Sequence, residues 1–221
     1  MIENVRSYWR SLCGDRPVPA RSEVDPRALQ GALDNAFILE RIAPSVARFR
    51  VAGAHLTDLI GMEVRGMPLT ALFAPRARQQ VTMRLEEAFS RPAILDLTLA
   101  AETGFGKPEM TGHLMVLPLA SDLGDVSRAL GVFWSEGTIG RTPRRFEVTS
   151  ERLTLCQGDA TLSTGQYTSV PGFSEPRFDF LAALGSNRKR EPAPETMVEP
   201  APLLPATPEE RRAMFRVVGS D

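Results

Sequence analysis

The chain is poor in the residues from which most catalytic and metal sites are built. Its 221 residues include two histidines, His55 and His113, and two cysteines, Cys13 and Cys156, which lie far apart and match no metal-ligand spacing. That count excludes a disulfide framework and a zinc site. Lysine is nearly missing, at Lys107 and Lys189 alone, and neither charge dominates: 26 basic residues face 27 acidic ones for a formal net charge of −1. Such a balance excludes a nucleic-acid or anionic-membrane surface at the scale of the whole protein. Long apolar runs are also lacking. The longest, 114–120, is interrupted by Pro118 and falls far short of the roughly 20 residues a bilayer span needs. The start, Met1-Ile2-Glu3-Asn4, is acidic and has no apolar leader stretch. These absences lead us to expect a soluble, cytoplasmic protein with no membrane insertion and no nucleic-acid partner.

What is present is a hydrophobic content of 43%, enough for one domain with a real core and extensions besides. Val5, Tyr8, Trp9 and Leu12 recur at i, i+3, i+4 and i+7, one stripe of a short helix that Gly14 ends. Asp25-Pro26 offers an N-cap acceptor followed by a residue whose missing N–H costs nothing at N1, with Leu29 and Leu33 then facing the same way. Residues 36–42 and 47–51 read as a hairpin across Ala43-Pro44-Ser45, with Ala47, Phe49 and Val51 alternating onto one face. Helical spacing then takes over at Leu56, Leu59 and Ile60, again at Leu69, Leu72 and Phe73, and along 75–90, where Val81, Leu85, Ala88 and Phe89 share a face. Three further strands follow at 94–99, 113–119 and 129–135.

Both parities of 113–119 and 130–134 are largely apolar, so neither face of this part of the sheet tolerates water. The internal helices take one face. For the other, the Val5/Tyr8/Trp9/Leu12 stripe is the natural cover, either over its own sheet or over a second subunit. Residues 146–156 carry enough apolar side chains to add a strand or pack on the domain. The organisation expected is a helical cap over 1–35, a domain over 36–140, an extension over 141–184 and a flexible tail over 185–221. Within that tail, Thr207-Pro208-Glu209-Glu210 fits a capping box before Met214, Phe215, Val217 and Val218, which reads as a short docking segment.

No nucleophile–base pair, phosphate-cradling loop or metal cluster emerges from the pattern, so no enzymatic activity and no catalytic residues are expected. Gly104-Phe105-Gly106 lies between two strands and reads as a hairpin loop. The basic clusters 141–145 and 188–190 read as solvated charge. Cys13 and Cys156 both fall outside the expected core.

The element order, together with the run Arg50-Val51-Ala52-Gly53-Ala54-His55-Leu56-Thr57-Asp58-Leu59-Ile60-Gly61 and the following Gly66, resembles a PAS domain of the stand-alone bacterial type with an N-terminal capping helix. The upstream Tyr8-Trp9 and Asp25-Pro26 look like that type's N-terminal extension. In one respect the chain departs from the family: Gly53 stands where many members carry Asn, and its free φ would permit the turn while giving up a side-chain hydrogen bond. The resemblance implies an α+β fold: a PAS-like five-stranded antiparallel sheet with helices on one face, an N-terminal cap helix and a flexible C-terminal tail. It implies a role in sensing or partner binding, and with the apolar outer face of the sheet it leads us to expect a sensory or regulatory module acting through protein–protein association in signal transduction, with a protein partner and as a homodimer. The alternative is a protein that binds a small apolar metabolite in the family's cavity.

On that resemblance a cavity would be lined by Phe37, Phe49, Val51, Leu56, Leu59, Leu69, Leu97 and Met115, with Trp134 nearby, the plainer reading being that these side chains simply fill a core; a partner would meet Val5, Tyr8, Trp9 and Leu12. No cofactor is expected. The long helix 75–90 has no histidine to ligate haem, and neither cysteine lies in the core helices where flavin-adduct or coumarate chemistry would need one. No metal is expected either.

Overall fold

The computed structural model describes residues 2–158 and 161–167. The expected tail over 185–221, its docking segment, and the extension beyond 167 lie outside the described residues.

Seven antiparallel strands form one sheet in the order β2-β1-β5-β4-β3-β6-β7. They are β1 (Ala36–Ala43), β2 (Val46–Ala52), β3 (Ala93–Ala101), β4 (Met110–Ala120), β5 (Val126–Gly137), β6 (Phe146–Leu155) and β7 (Thr161–Gln166). The five expected strands are the first five in that spatial order. Residues 146–155 do add a strand, along β3, and β7 then extends the sheet past anything its short polar sequence announces.

Between β2 and β3 the chain leaves the sheet to form α2 (Ala54–Ile60), a 3-10 turn (Leu69–Leu72) and α3 (Pro75–Ser90). Helix α2 ends where Gly61 adopts a left-handed φ of 81° and its N–H bonds Thr57 O at 2.7 Å, the conformation for which glycine carries no Cβ penalty. These elements cover the inner face. Phe37, Leu39, Phe49, Leu95, Leu97, Leu114, Val116 and Phe133 from the strands meet Leu56, Leu59, Leu69, Phe73, Val81 and Leu85 from the helices in one buried cluster. Helix α3 is further held to β6 by Glu151, which is buried and accepts from Arg84 Nε at 2.8 Å and Gln80 Nε2 at 3.0 Å.

Helix α1 (Ile2–Cys13) lies on the outer face. There Val5, Trp9 and Cys13 pack with Ile38, Ile94, Met115, Leu117, Leu119, Leu130 and Val132. The cross-strand pairs Met115–Val132 and Leu117–Leu130 account for the second apolar parity seen in the sequence. Cys13 therefore belongs to an outer core, and Cys156 packs against the same cluster, contrary to the expectation that both lie outside.

Segment Pro26–Asn35 begins as expected, with the Asp25 side chain accepting from Arg27 N. It is nevertheless a 3-10 helix, so its period is three residues and not 3.6. Leu29 and Ala32 are buried and Leu33 is turned out. The shared face expected of Leu29 and Leu33 is thus replaced by one shared by Leu29 and Ala32.

Gly53 is likewise explained differently from its sequence reading. Its φ is −72°, which any residue adopts. A Cβ there would stand 2.2 Å from Leu33 O and 2.3 Å from Asp34 O. Glycine is required because the 3-10 segment comes too close for a side chain.

Candidate functional site

Of the nine side chains expected at or near a cavity, six share the inner cluster. Phe37, Phe49, Leu56, Leu59, Leu69 and Leu97 are each 0–2% exposed. The rings of Phe37 and Phe49 meet edge to face with centroids 5.2 Å apart, and Phe133 meets Phe146 at 5.0 Å. Phe37, Phe49, Leu56, Leu59 and Leu69 pack into the interior, while Leu97 also borders the groove described below.

The other three lie elsewhere. Val51 is exposed, because β2 carries an extra residue: Phe49 pairs with Leu39 and Val51 with Ile38, leaving Arg50 unpaired between them. That bulge breaks the period-2 alternation and sends Val51 to the outer face, while Ala52 packs inward. Met115 is buried on the outer face under α1. Trp134 is half-buried on the same face, its ring stacked on His113 at 6.1 Å.

The four side chains expected to meet a partner cover this chain's own sheet. Val5 and Trp9 are each 2% exposed, and Tyr8 and Leu12 pack beside them. The Trp9 indole N–H donates to Pro118 O at 2.9 Å. That carbonyl is available because β3 pairs with β4 only as far as Val116. Tyr8 Oη accepts from Asp25 N at 2.8 Å, tying α1 to the start of the 3-10 segment.

At the N-terminal end of α1 the fastening is polar. Arg6 Nη2 donates to Asp96 Oδ1 at 2.6 Å, an ion pair with side chains only 21% and 25% exposed. Burial pushes the Asp96 carboxyl above its ordinary value, against the pull of Arg6. Arg6 Nε is buried without a hydrogen-bond partner, with the Glu3 carboxylate 3.5 Å away. Beside this pair opens a groove of about 350 Å³ whose walls include Ile2, Thr98, His113, Trp134 and Arg152. The groove lies between the N-terminal end of the cap helix and the sheet, with Leu97, Leu114 and Met115 also on its walls.

Sequence reasoning missed Asp96 and Arg6. The available signal was a carboxylate in the middle of a strand whose outward neighbours must be covered. It also misread Arg144, placed in a solvated basic cluster but fully buried. The Arg144 guanidinium donates to Ile139 O at 2.6 Å and Pro108 O at 2.7 Å, with longer bonds to Glu102 O and Thr138 O. Nothing in Thr142-Pro143-Arg144-Arg145 distinguishes that arginine from its neighbour. His55 lies in the first turn of α2 with Nε2 2.9 Å from Ser135 Oγ, and burial holds its pKa below the usual histidine value. Among the described residues no group of three or more His, Cys, Asp or Glu could hold a metal ion, and no helix is long and apolar enough to cross a membrane.

A family model described as PAS domain matches residues 2–134, more than half of the chain. No curated protein matches. Among solved structures, the chain is similar to a light-oxygen-voltage domain studied with a flavin analogue, at 21% identity over 50% of this chain and 83% of that one, TM-score 0.40. It is also similar to the blue-light photoreceptor Aureochrome1 LOV in its light state (18%, 50% and 88%, TM-score 0.35) and in its dark state (19%, 51% and 82%, TM-score 0.38). The family match spans both the cap helix and the sheet it covers, and on it the chain belongs to the PAS domain family.

Proposed function

We propose that the chain is a sensory and regulatory module that acts by associating with a protein partner, as a homodimer, and has no catalytic output of its own. The observation that supports this reading is the way α1 is fastened. Its apolar stripe closes the outer face of the sheet, yet its N-terminal end is held through Arg6 to a carboxylate that burial disfavours as an ion, beside an open groove. A partner that binds better to the released end of the cap shifts the population toward release in proportion to that differential affinity. Use of the interior as a pocket for a small apolar metabolite gains no support from side chains packed as tightly as Phe49, Leu56 and Leu69.

The test uses the full chain as bait, alongside Trp9→Ala and Asp96→Ala. One defined protein should be recovered with all three, in amounts that differ between wild type and the cap variants, and light scattering should give twice the chain mass for the wild type. Recovery of chaperones and the chain alone, or equal recovery by all three, would count decisively against the proposal.

A further inference from the structure

A second groove, of about 240 Å³, lies on the helical side of the molecule, where the end of α2, the Leu69–Leu72 turn, the start of α3 and the β5–β6 connection converge. Its apolar wall is Ile60, Met62 and Met67, and Met62 is left 60% exposed. Its polar wall is Arg78 and Arg145. Each arginine is half-buried and pinned through one nitrogen to a main-chain carbonyl: Arg78 Nε to Phe73 O at 3.2 Å, Arg145 Nη1 to Ala71 O at 3.1 Å. Among the described residues neither lies within ion-pair distance of a carboxylate, and no acidic residue lines the groove. Of the acids in the segments that form the groove, Glu147 pairs with Arg76 and Glu63, next to Met62, accepts from Arg65 N at 3.0 Å.

We infer that this groove is a binding site for a small acyl carboxylate, with the carboxylate bridging Arg78 and Arg145 and the chain lying along Met62 and Met67. The sign of the ligand follows from two cations with no counter-charge among the described residues. Its head group follows from the guanidinium, whose planar fork matches a carboxylate and whose nitrogens not used on main-chain carbonyls are already fixed in direction. The body of the ligand follows from methionine, an unbranched, polarizable side chain that moulds to flexible apolar chains. The site is separate from the cap, so it does not depend on the regulatory reading above.

The probe is octanoate, titrated calorimetrically into the full chain, with octylammonium and octanol as chain-matched controls. Octanoate should bind, the controls should bind at least tenfold more weakly, and Arg78→Gln and Arg145→Gln should each weaken octanoate at least tenfold. Met62→Glu places a carboxylate opposite the arginines from an exposed position, leaves their hydrogen bonds intact, and should do the same. Should a glutamine variant lose its folded circular-dichroism spectrum, Met62→Glu decides alone. Octanol binding as tightly as octanoate, full octanoate binding by Met62→Glu, or binding of a peptide C-terminal carboxylate but not octanoate would overturn the inference.

Discussion

Glu151, which is buried, and Asp96, which is partly buried, are carboxylates that respond to pH in opposite senses. At Glu151 burial pushes the pKa up, but hydrogen bonds from Arg84, Gln80 and Tyr167 more than offset it and leave the group below the ordinary glutamate value of 4.5. The folded state then gives up this proton more readily than the unfolded one. Glu151 therefore contributes stability that is fully present above 4.5 and is lost as pH falls through its folded pKa. At Asp96 burial outweighs Arg6 and the pKa lies above 3.8, so its ionised form costs stability above the folded pKa, a cost that fades as pH falls toward 3.8. In urea unfolding from about pH 7 to about pH 3, Glu151→Gln should cost about 1–3 kcal/mol at neutral pH and lose less stability on acidification than the wild type. Equal acid slopes in the two proteins would remove the role given to Arg84. Gly53 supports a prediction at the same scale. A methyl 2.2 Å from Leu33 O forces the 3-10 segment away, so Gly53→Ala should cost about 1–3 kcal/mol despite an ordinary φ. A loss of a few tenths would mean that the segment yields freely.

Among elements, the most legible in the sequence were those whose period repeats. The stripe Val5/Tyr8/Trp9/Leu12, the α3 face and the Leu95/Leu97/Leu99 alternation all announce which side is buried. What escaped reading is what breaks a period. One extra residue in β2 reverses Val51, and a 3-10 winding exchanges Leu33 for Ala32; both are set by neighbouring backbone and leave no mark on composition. The site was legible to the same degree, since the stripe's need for cover was visible while the Arg6–Asp96 pairing required strand register to bring the two together. Helix α1 tests the account. Trp9→Ala removes a side chain that is 2% exposed together with its bond to Pro118 O, and should cost about 3–5 kcal/mol. Trp9→Phe keeps most of the apolar area, and forfeits about 1 kcal/mol for the lost N–H donor. Thermal or urea unfolding of both variants checks the order. Equal losses would mean that the hydrogen bond, not burial, fastens the cap.

At the scale of the whole molecule, one sheet has to bury two apolar faces with helices supplied between its second and third strands for one of them only. The outer rows, Met115 with Val132 and Leu117 with Leu130, are too extensive to stay wet, and the described chain solves this with its own first helix. The solution is partial. Toward the β2 edge the outer face passes beyond α1, where Val51 is 59% and Ile42 47% exposed around Glu40, which pairs with both Arg50 and Arg128. Covering by a local helix makes closure of this face independent of concentration, whereas a cover supplied by a second copy would make it concentration-dependent. Removing residues 1–14 discriminates between them. With α1 as the cover, the truncated chain should bind the dye ANS strongly and associate into larger species, because Met115, Leu117, Leu119, Leu130 and Val132 become a continuous exposed patch. A truncated chain that stays at the wild-type size, binds no dye and unfolds at the wild-type denaturant concentration would show that the outer face is closed by something other than its own N-terminal helix.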